Sequence, residues 1–374
     1  MSEIEFRLAA LEERIRELET VLEVSGVISA TLDADRIMDV VLDACMGAVS
    51  AEAGTLWILD DEYLLPVATR GPKADRLQEL KLKKGEGLAG QVCEGREPVF
   101  VEDVTRDERW ASHFGETTGF ITRSMLVVPL FTEEKSVGSL QLINKLDGAL
   151  FNDADLRISR ALALHSAKVI VNSRRHVQQR RFLNSLLAAV ADLLDARDPR
   201  AKGHSERVSQ YALLIAQELG LDPEEQDLVQ WASLLHDVGK ITVPEEILAK
   251  AHPLDVRAWE QINQHPIQGG NIIIQLRPKS LTRYLWAGVR YHHERYDGNG
   301  FPTGLSGEDI PLVARIIAIA NAFDNMVSTE RYGPAVAAVE ALEEIERCAG
   351  TCYDPKLVDA FVCAMRSRLT ATQP

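Results

Sequence analysis

The sequence predicts an α+β domain, an antiparallel sheet with flanking helices, joined by a long helix to an all-helical bundle. Three observations carry that expectation. Short apolar runs bounded by turn residues recur between positions 51 and 145, as in Thr55-Leu56-Trp57-Ile58-Leu59 and Leu126-Val127-Val128-Pro129-Leu130. Helical spacing of apolar residues replaces them from about position 153 onward. Six of the nine histidines fall after position 200, five of them at the ends of helical runs.

Composition bounds the class. A length of 374 residues fits two domains plus helical connectors. A net charge of −15 argues against a nucleic-acid polymer as partner, because most of the surface would repel it. It leaves room for a small anionic ligand in a local positive or metal-lined pocket. The acidic start, Met1-Ser2-Glu3-Ile4-Glu5, has no signal-peptide pattern. No apolar segment approaches the roughly 18 residues of a membrane span. A cytoplasmic chain without membrane contact is the expectation. Cysteines at 45, 93, 348, 352 and 363 lack paired spacing and read as free thiols.

In chain order, residues 1–23 form a heptad helix. Ile4, Leu8, Leu11, Ile15, Leu18 and Leu22 alternate steps of four and three among Glu and Arg, which predicts a parallel homodimer contact. Residues 24–172 hold a helix over 37–49 and strands near 55–59, 63–69, 98–101, 124–130 and 137–144. A Gly-rich turn, Gly85-Glu86-Gly87-Leu88-Ala89-Gly90, opens a short helix between them. Its glycines read as turn residues, since a lone Gly-rich turn is weak evidence for phosphate binding. A long helix then runs through the linker, residues 173–197, with Ile158, Leu162, Val169, Phe182, Leu186, Leu187, Val190 and Leu194 at helical spacing. The basic run at Arg174, Arg175, His176, Arg180 and Arg181 reads as a solvated face. Such a helix can carry a twist or shift from one domain to the next.

Residues 24–172 resemble a GAF domain through the Gly-rich turn, Arg123-Ser124 ahead of the Pro129 strand, and the Gly138 strand ending in Asn144. The resemblance implies small-molecule sensing and dimerisation. Cyclic-nucleotide-binding members carry an Asn-Lys, Phe, Asp-Glu signature. Asn144, Lys145, Phe151 and Asp155 match it, and Leu156 stands in place of the Glu. A cyclic nucleotide or another small molecule is the expected ligand, with its pocket residues unassigned.

From Asp198 onward metal-type side chains accumulate: His204, the pair His236-Asp237, His265, and His292-His293-Glu294. Neutral imidazole beside carboxylate suits divalent iron, manganese or zinc, and a set this large exceeds what one ion needs. A dinuclear centre is the economical reading. His113, His165, His176 and His252 have no partners at ligand spacing and read as structural or surface residues.

The region from 198 to 374 resembles the HD-GYP subfamily of HD-domain phosphohydrolases, the match running almost continuously over 185–365. It is carried by Leu235-His236-Asp237-Val238-Gly239-Lys240, by His292-His293-Glu294-Arg295-Tyr296-Asp297-Gly298-Asn299-Gly300-Phe301-Pro302 and by Ile310-Pro311-Leu312-Val313-Ala314-Arg315-Ile316. The resemblance implies an all-helical bundle, hydrolysis of cyclic di-GMP and two divalent metal ions, iron or manganese. It assigns His204, His236, Asp237, His265, His292 and His293 as ligands, with Asp237 as the bridge. Lys240 would face the phosphate and stabilise charge on a phosphoryl oxygen. Gly298, Gly300, Phe301 and Pro302 would shape the substrate loop, the glycines allowing close backbone approach.

The pattern is departed from at several positions. Phe301 replaces the tyrosine of the signature, keeping the ring without the hydroxyl. Arg200 stands where some members carry a Glu ligand for a third metal, which argues against a trinuclear site. Asn321 replaces the last Asp ligand; its carbonyl can ligate, with one negative charge fewer. Glu330 and Gly333 fall where many members place phosphate-gripping basic residues, leaving adjacent Arg331 as the substitute. Two readings follow. In one, the sensor regulates an active phosphodiesterase for cyclic di-GMP or a related cyclic dinucleotide. In the other, a degenerate domain binds a nucleotide or protein without turnover. Six matched ligands and Lys240 favour the enzyme.

Overall fold

The computed structural model describes residues 3–30, 36–72, 74–77, 80–109, 120–198, 201–248, 255–328 and 335–371. The chain divides into two compact units, 1–180 and 181–374.

The first unit is built on a six-stranded antiparallel sheet of order β3-β2-β1-β6-β5-β4, with β1 at Ala51–Asp60, β2 at Tyr63–Arg70, β3 at Leu82–Lys83, β4 at Val99–Val101, β5 at Met125–Phe131 and β6 at Ser136–Lys145. Strand periodicity sorts the side chains. Leu56, Ile58, Leu126, Val128, Leu130, Leu140 and Leu142 face helices α2 (Ile37–Val49) and α4 (Asp153–Asp195), meeting Val41, Leu42, Leu162 and Ala163. Their neighbours Ala53, Met125, Val127 and Ile143 turn to the opposite face and meet Leu88 and Val92 of α3 (Gly87–Gly95). The register pairs Leu56 with Leu140 and Leu140 with Val128. Gly138 is obligatory there, because a Cβ would lie 1.9 Å from the Trp57 carbonyl oxygen. Helix α1 (Glu3–Ala30) leaves Ile4, Leu8, Leu11, Ile15, Leu18 and Leu22 between 51% and 78% exposed.

The residues that match the cyclic-nucleotide signature tie the end of β6 to the start of α4. Asn144, buried at φ +49°, accepts from the Arg123 and Ser124 amides at 2.8 and 3.2 Å and donates to Glu52 at 3.0 Å. Lys145 is ion-paired with Asp155 at 2.9 Å, Phe151 is core, and Leu156 packs beside it. A separate cavity of about 70 Å³ opens between sheet and α3, lined mainly by apolar groups such as Ala53, Leu88, Phe120 and Ile143, with Gln141 and Thr55 among them.

The second unit is helical. Helices α5 (His204–Glu218), α6 (Pro223–Leu235), α10 (Lys279–Tyr291), α11 (Leu312–Ser328), α12 (Ala338–Arg347) and α13 (Pro355–Ala371) surround a core that includes Val208, Ile215, Val229, Val289, Ile317, Phe323, Ile345 and Phe361. Shorter helices α7 (Glu245–Leu248), α8 (Val256–Asn263) and α9 (His265–Ile273) complete it. Start signals are explicit: Asp222 and Glu225 form a reciprocal capping box at α6, and Asp255 caps α8. Among the described residues no helix is long and apolar enough to cross a membrane.

Candidate metal centre

Apolar burial of α6 through Val229, Ala232 and Leu235 delivers its next two residues, His236 and Asp237, to the interior. The last carbonyls of a helix lack intrahelical donors, and three histidines use them. His236 Nδ1 donates to the Ser233 carbonyl at 2.6 Å, His265 Nδ1 to Ile262 at 2.7 Å, and His292 Nδ1 to Val289 at 2.9 Å. A carbonyl only accepts, so each ring carries its proton on Nδ1 and turns the lone pair of Nε2 inward. His204 reaches the same state by donating Nδ1 to Asp324 at 2.7 Å.

The inward atoms form two groups, His204-His236-Asp237 and His265-His292-His293, each with its ligand atoms within 4.8 Å of one another. Asp237 touches both. Its Oδ2 lies 3.9 Å from His204 Nε2 and 3.4 Å from His236 Nε2, and its Oδ1 lies 3.1 Å from His265 Nε2. Burial works against ionisation of Asp237, yet the Lys240 ammonium and His236 outweigh it and hold the carboxyl well below the usual range. Burial and the neighbouring imidazoles keep His292 and His293 well below the ordinary histidine value, and burial lowers His204 and His265. His236 moves the other way: burial lowers it, but the adjacent Asp237 carboxylate raises it further.

A divalent cation fits this set. His265 Nε2 and His292 Nε2 approach to 3.3 Å, two lone pairs facing each other once both rings are neutral. His236 Nε2 is fully buried with no hydrogen-bond partner. Both features suit donors arranged for a metal rather than for each other.

Comparison with known proteins identifies both domains. Residues 31–171 match the family described as GAF domain, and residues 188–357 the family described as HD domain. The chain joins a GAF domain to an HD domain. It is 36% identical over 206 residues to the cyclic di-GMP phosphodiesterase response regulator RpfG of Xanthomonas campestris, covering 54% of this chain and 52% of that protein. It is 35% identical over 185 residues to the 3'3'-cGAMP-specific phosphodiesterase 3 of Vibrio cholerae, covering 49% and 39%. With the 3'3'-cGAMP-specific phosphodiesterase 2 of Vibrio cholerae the identity is 27% over 362 residues, covering 95% and 65%. The chain thus spans about half the length of the first relative, about two fifths of the second and just under two thirds of the third.

Within the HD domain an open cavity of about 300 Å³ exposes the candidate cluster, lined by His204, Asp237, Lys240, His265, His293, Phe301 and Asn321. Lys240 Nζ is paired with Asp237 Oδ2. Gly239 makes that placement feasible, since a Cβ there would sit 1.9 Å from the His265 carbonyl oxygen. Phe301 stacks on His293 with ring centroids 4.7 Å apart and planes at 16°.

Gly298, Gly300 and Pro302 do not line the cavity. Their tight geometry belongs to the loop itself. A Cβ on Gly300 would meet the Arg295 nitrogen at 2.2 Å, Gly298 sits at φ +81°, and buried Glu294 accepts from the Thr303 and Gly304 amides. Asn321 lines the cavity, but its Oδ1 already accepts from Asn325 Nδ2 at 2.9 Å. Arg331, with Glu330, Gly333, Arg200 and His252, lies outside the described residues.

Sequence reasoning missed Asp324, which is fully buried between His204 and Arg207, and missed Trp259, Asn263 and Asn325 in the cavity wall. For Asp324 a signal existed: a carboxylate inside the apolar run of α11 needs a buried partner. Of the remaining histidines, His165 bonds Ser29 at 3.0 Å, His176 is exposed, and His113 falls outside the described residues.

Proposed function

We propose that the chain is a cytoplasmic signalling protein in which the GAF domain regulates a dinuclear-metal phosphodiesterase, acting on cyclic di-GMP or a related cyclic dinucleotide. One observation carries the reading: the Asp237 carboxylate sits in one triad of ligand atoms, its Oδ2 near His204 and His236, and turns its Oδ1 toward His265 of the other. The relatives' names supply the substrate class. His204, His236 and Asp237 would hold one ion, and His265, His292 and His293 with Asp237 the other, iron or manganese being best suited to an imidazole-carboxylate set. Bound cations supply Lewis-acid polarisation of the phosphodiester and acidify water. The protein's own part is positioning. Helix-end carbonyls and Asp324 lock the imidazoles, Lys240 offers an ammonium to a phosphoryl oxygen, and Phe301 presents a ring face beside His293. The heptad seam of α1 supports a homodimer.

The test is anaerobic purification, elemental analysis, and product chromatography with cyclic di-GMP and cyclic GMP-AMP. Metal near two per chain with linear dinucleotide or mononucleotide as product is the expected result. The Asn321–Asn325 hydrogen bond favours a second reading, a domain that binds a cyclic dinucleotide without turning it over. Measurable binding with no product under any divalent metal would select it.

A further inference from the structure

The link between α12 and α13 folds tightly around one carbonyl. The Cys348 carbonyl accepts from the Thr351, Cys352 and Tyr353 amides at 3.2, 3.0 and 3.3 Å. Gly350, at φ +75°, turns the chain between them, and its own amide donates to the Tyr353 carbonyl at 2.8 Å. The bond from Cys352 to Cys348 closes an α-turn, so four steps of about 1.5 Å set the two Cα atoms about 6 Å apart. A disulfide spans roughly 4.4–6.8 Å between Cα atoms. Both thiols are half-buried, and they are hydrogen-bonding neighbours.

The surroundings assign the two sulfurs different parts. Burial, Cys352 and the Glu344 carboxylate push the Cys348 thiol up to about 11, and Cys348 Sγ donates to Glu344 at 3.6 Å. Cys348 is thereby held as the protonated partner, and the first attack on an oxidant falls to Cys352.

The same turn fastens the loop that follows the paired histidines. The Tyr296 amide donates to the Cys352 carbonyl at 3.1 Å, and the Asp297 amide to the Thr351 carbonyl at 2.8 Å. Farther along the loop the Phe301 amide returns to the His293 carbonyl at 3.2 Å. A disulfide needs its Cβ atoms roughly 3.5–4.5 Å apart, closer than the about 5–6 Å of neighbours four residues apart on a helical turn. Closing it must therefore tighten the turn and draw the Thr351 and Cys352 carbonyls away from Tyr296 and Asp297.

We propose that Cys348 and Cys352 are an oxidisable dithiol, converted to a disulfide by low-molecular-weight disulfides, and that its closure loosens the 295–301 loop. The Cys352 thiolate attacks one sulfur of the oxidant, forming a mixed disulfide and expelling one thiolate. Cys348 gives up its proton, attacks the Cys352 sulfur and expels the second. The protein loses two hydrogens and the oxidant is reduced to two thiols.

The test uses the full chain in a Cys363→Ser background, incubated with glutathione disulfide and then blocked with iodoacetamide. Trypsin releases 348–356 as one peptide, cut after Arg347 and Lys356. It should appear two hydrogens lighter and unalkylated, and take up two alkyl groups once reduced with dithiothreitol. Full alkylation without reduction, or two stable glutathione adducts, overturns the dithiol. Cys348→Ser should trap glutathione on Cys352 at least about tenfold faster than Cys352→Ser traps it on Cys348. Equal rates overturn the order of attack. Hydrogen exchange reads the loop without any turnover: in the oxidised chain the Tyr296 and Asp297 amides should exchange at least about fivefold faster than in the reduced one. Unchanged exchange overturns the loosening while the disulfide stands. The variant with both Cys348→Ser and Cys352→Ser should show no response to oxidant there, and a response that persists assigns the effect to another thiol and overturns the link.

Discussion

The carboxylate of Asp324 accepts the Nδ1 proton of His204 at 2.7 Å while Arg207 holds its other side at 2.6 Å. Burial opposes ionisation of Asp324, and the bonds from His204 and Arg207 outweigh it and lower its pKa. The anion therefore fixes which nitrogen of His204 faces the cluster. Asp324→Asn keeps the shape, removes the charge and can present an amide donor to the ring. We expect a loss of metal affinity on the order of 10–100-fold, the usual effect of removing a ligand's orienting partner. Chelator competition with circular dichroism as a fold control measures it; wild-type affinity would mean His204 needs no such orientation.

Gly239 is constrained by backbone rather than by ligand. A methyl group at this position would penetrate the His265 carbonyl, 1.9 Å away, and the Gly269 nitrogen, 2.5 Å away. Gly239→Ala must push the Lys240 turn off α9, a loss of about 4 kcal/mol if the strain is not relieved. Urea unfolding monitored on the full chain gives the value. Near-wild-type stability would show that the turn shifts freely.

The clustering of these histidines was legible because their constraint is local. His236, His265 and His292 each sit three residues beyond a helix-end carbonyl that their Nδ1 satisfies. A string such as Leu235-His236-Asp237 therefore already encodes the device. The sheet was legible through its period of two, with only the two-residue strand at Leu82–Lys83 too short to announce itself. The apolar run around Asp324 called for a buried partner, but which partner was hidden, since His204 and Arg207 lie 120 and 117 residues away in sequence and no local pattern connects them. Trp259 and Asn263 were hidden for the same reason: α8 reaches the cavity by tertiary packing. Gly298 and Gly300 show the converse: read as positions for close approach to a ligand, they meet crowding from the loop's own chain.

Asp237 belongs to one ligand group and its Oδ1 lies 3.1 Å from His265 of the other, while His236 Nε2 is buried without a hydrogen-bond partner. Asp237→Ala and His236→Ala should abolish bound metal and phosphodiesterase activity together. A metal that binds the native state alone also stabilises it, by about 2.7 kcal/mol at 100 times its Kd. Manganese(II) should therefore raise the Tm of the wild-type chain and leave both variants unmoved. Unchanged metal content by elemental analysis in the two variants would defeat the assignment.

Asn321 decides between turnover and binding alone. It lines the cavity with His204, Asp237 and His293, and its carbonyl oxygen is taken up by Asn325 at 2.9 Å. Asn321→Asp preserves an acceptor for Asn325 and adds a second oxygen carrying charge. Beside His292 and His293, which burial keeps neutral, that charge has little screening and a long reach. We expect metal affinity to rise by about tenfold, a gain of roughly 1.4 kcal/mol, or turnover to rise with it. Metal titration and product chromatography on the same preparation separate the two. If neither changes while circular dichroism shows an intact fold, Asn321 does not face the ions, and the missing carboxylate is no longer a reason to doubt catalysis. If affinity rises and cyclic dinucleotide is still not cleaved, metal binding is not what limits the domain, and the binding-only reading prevails.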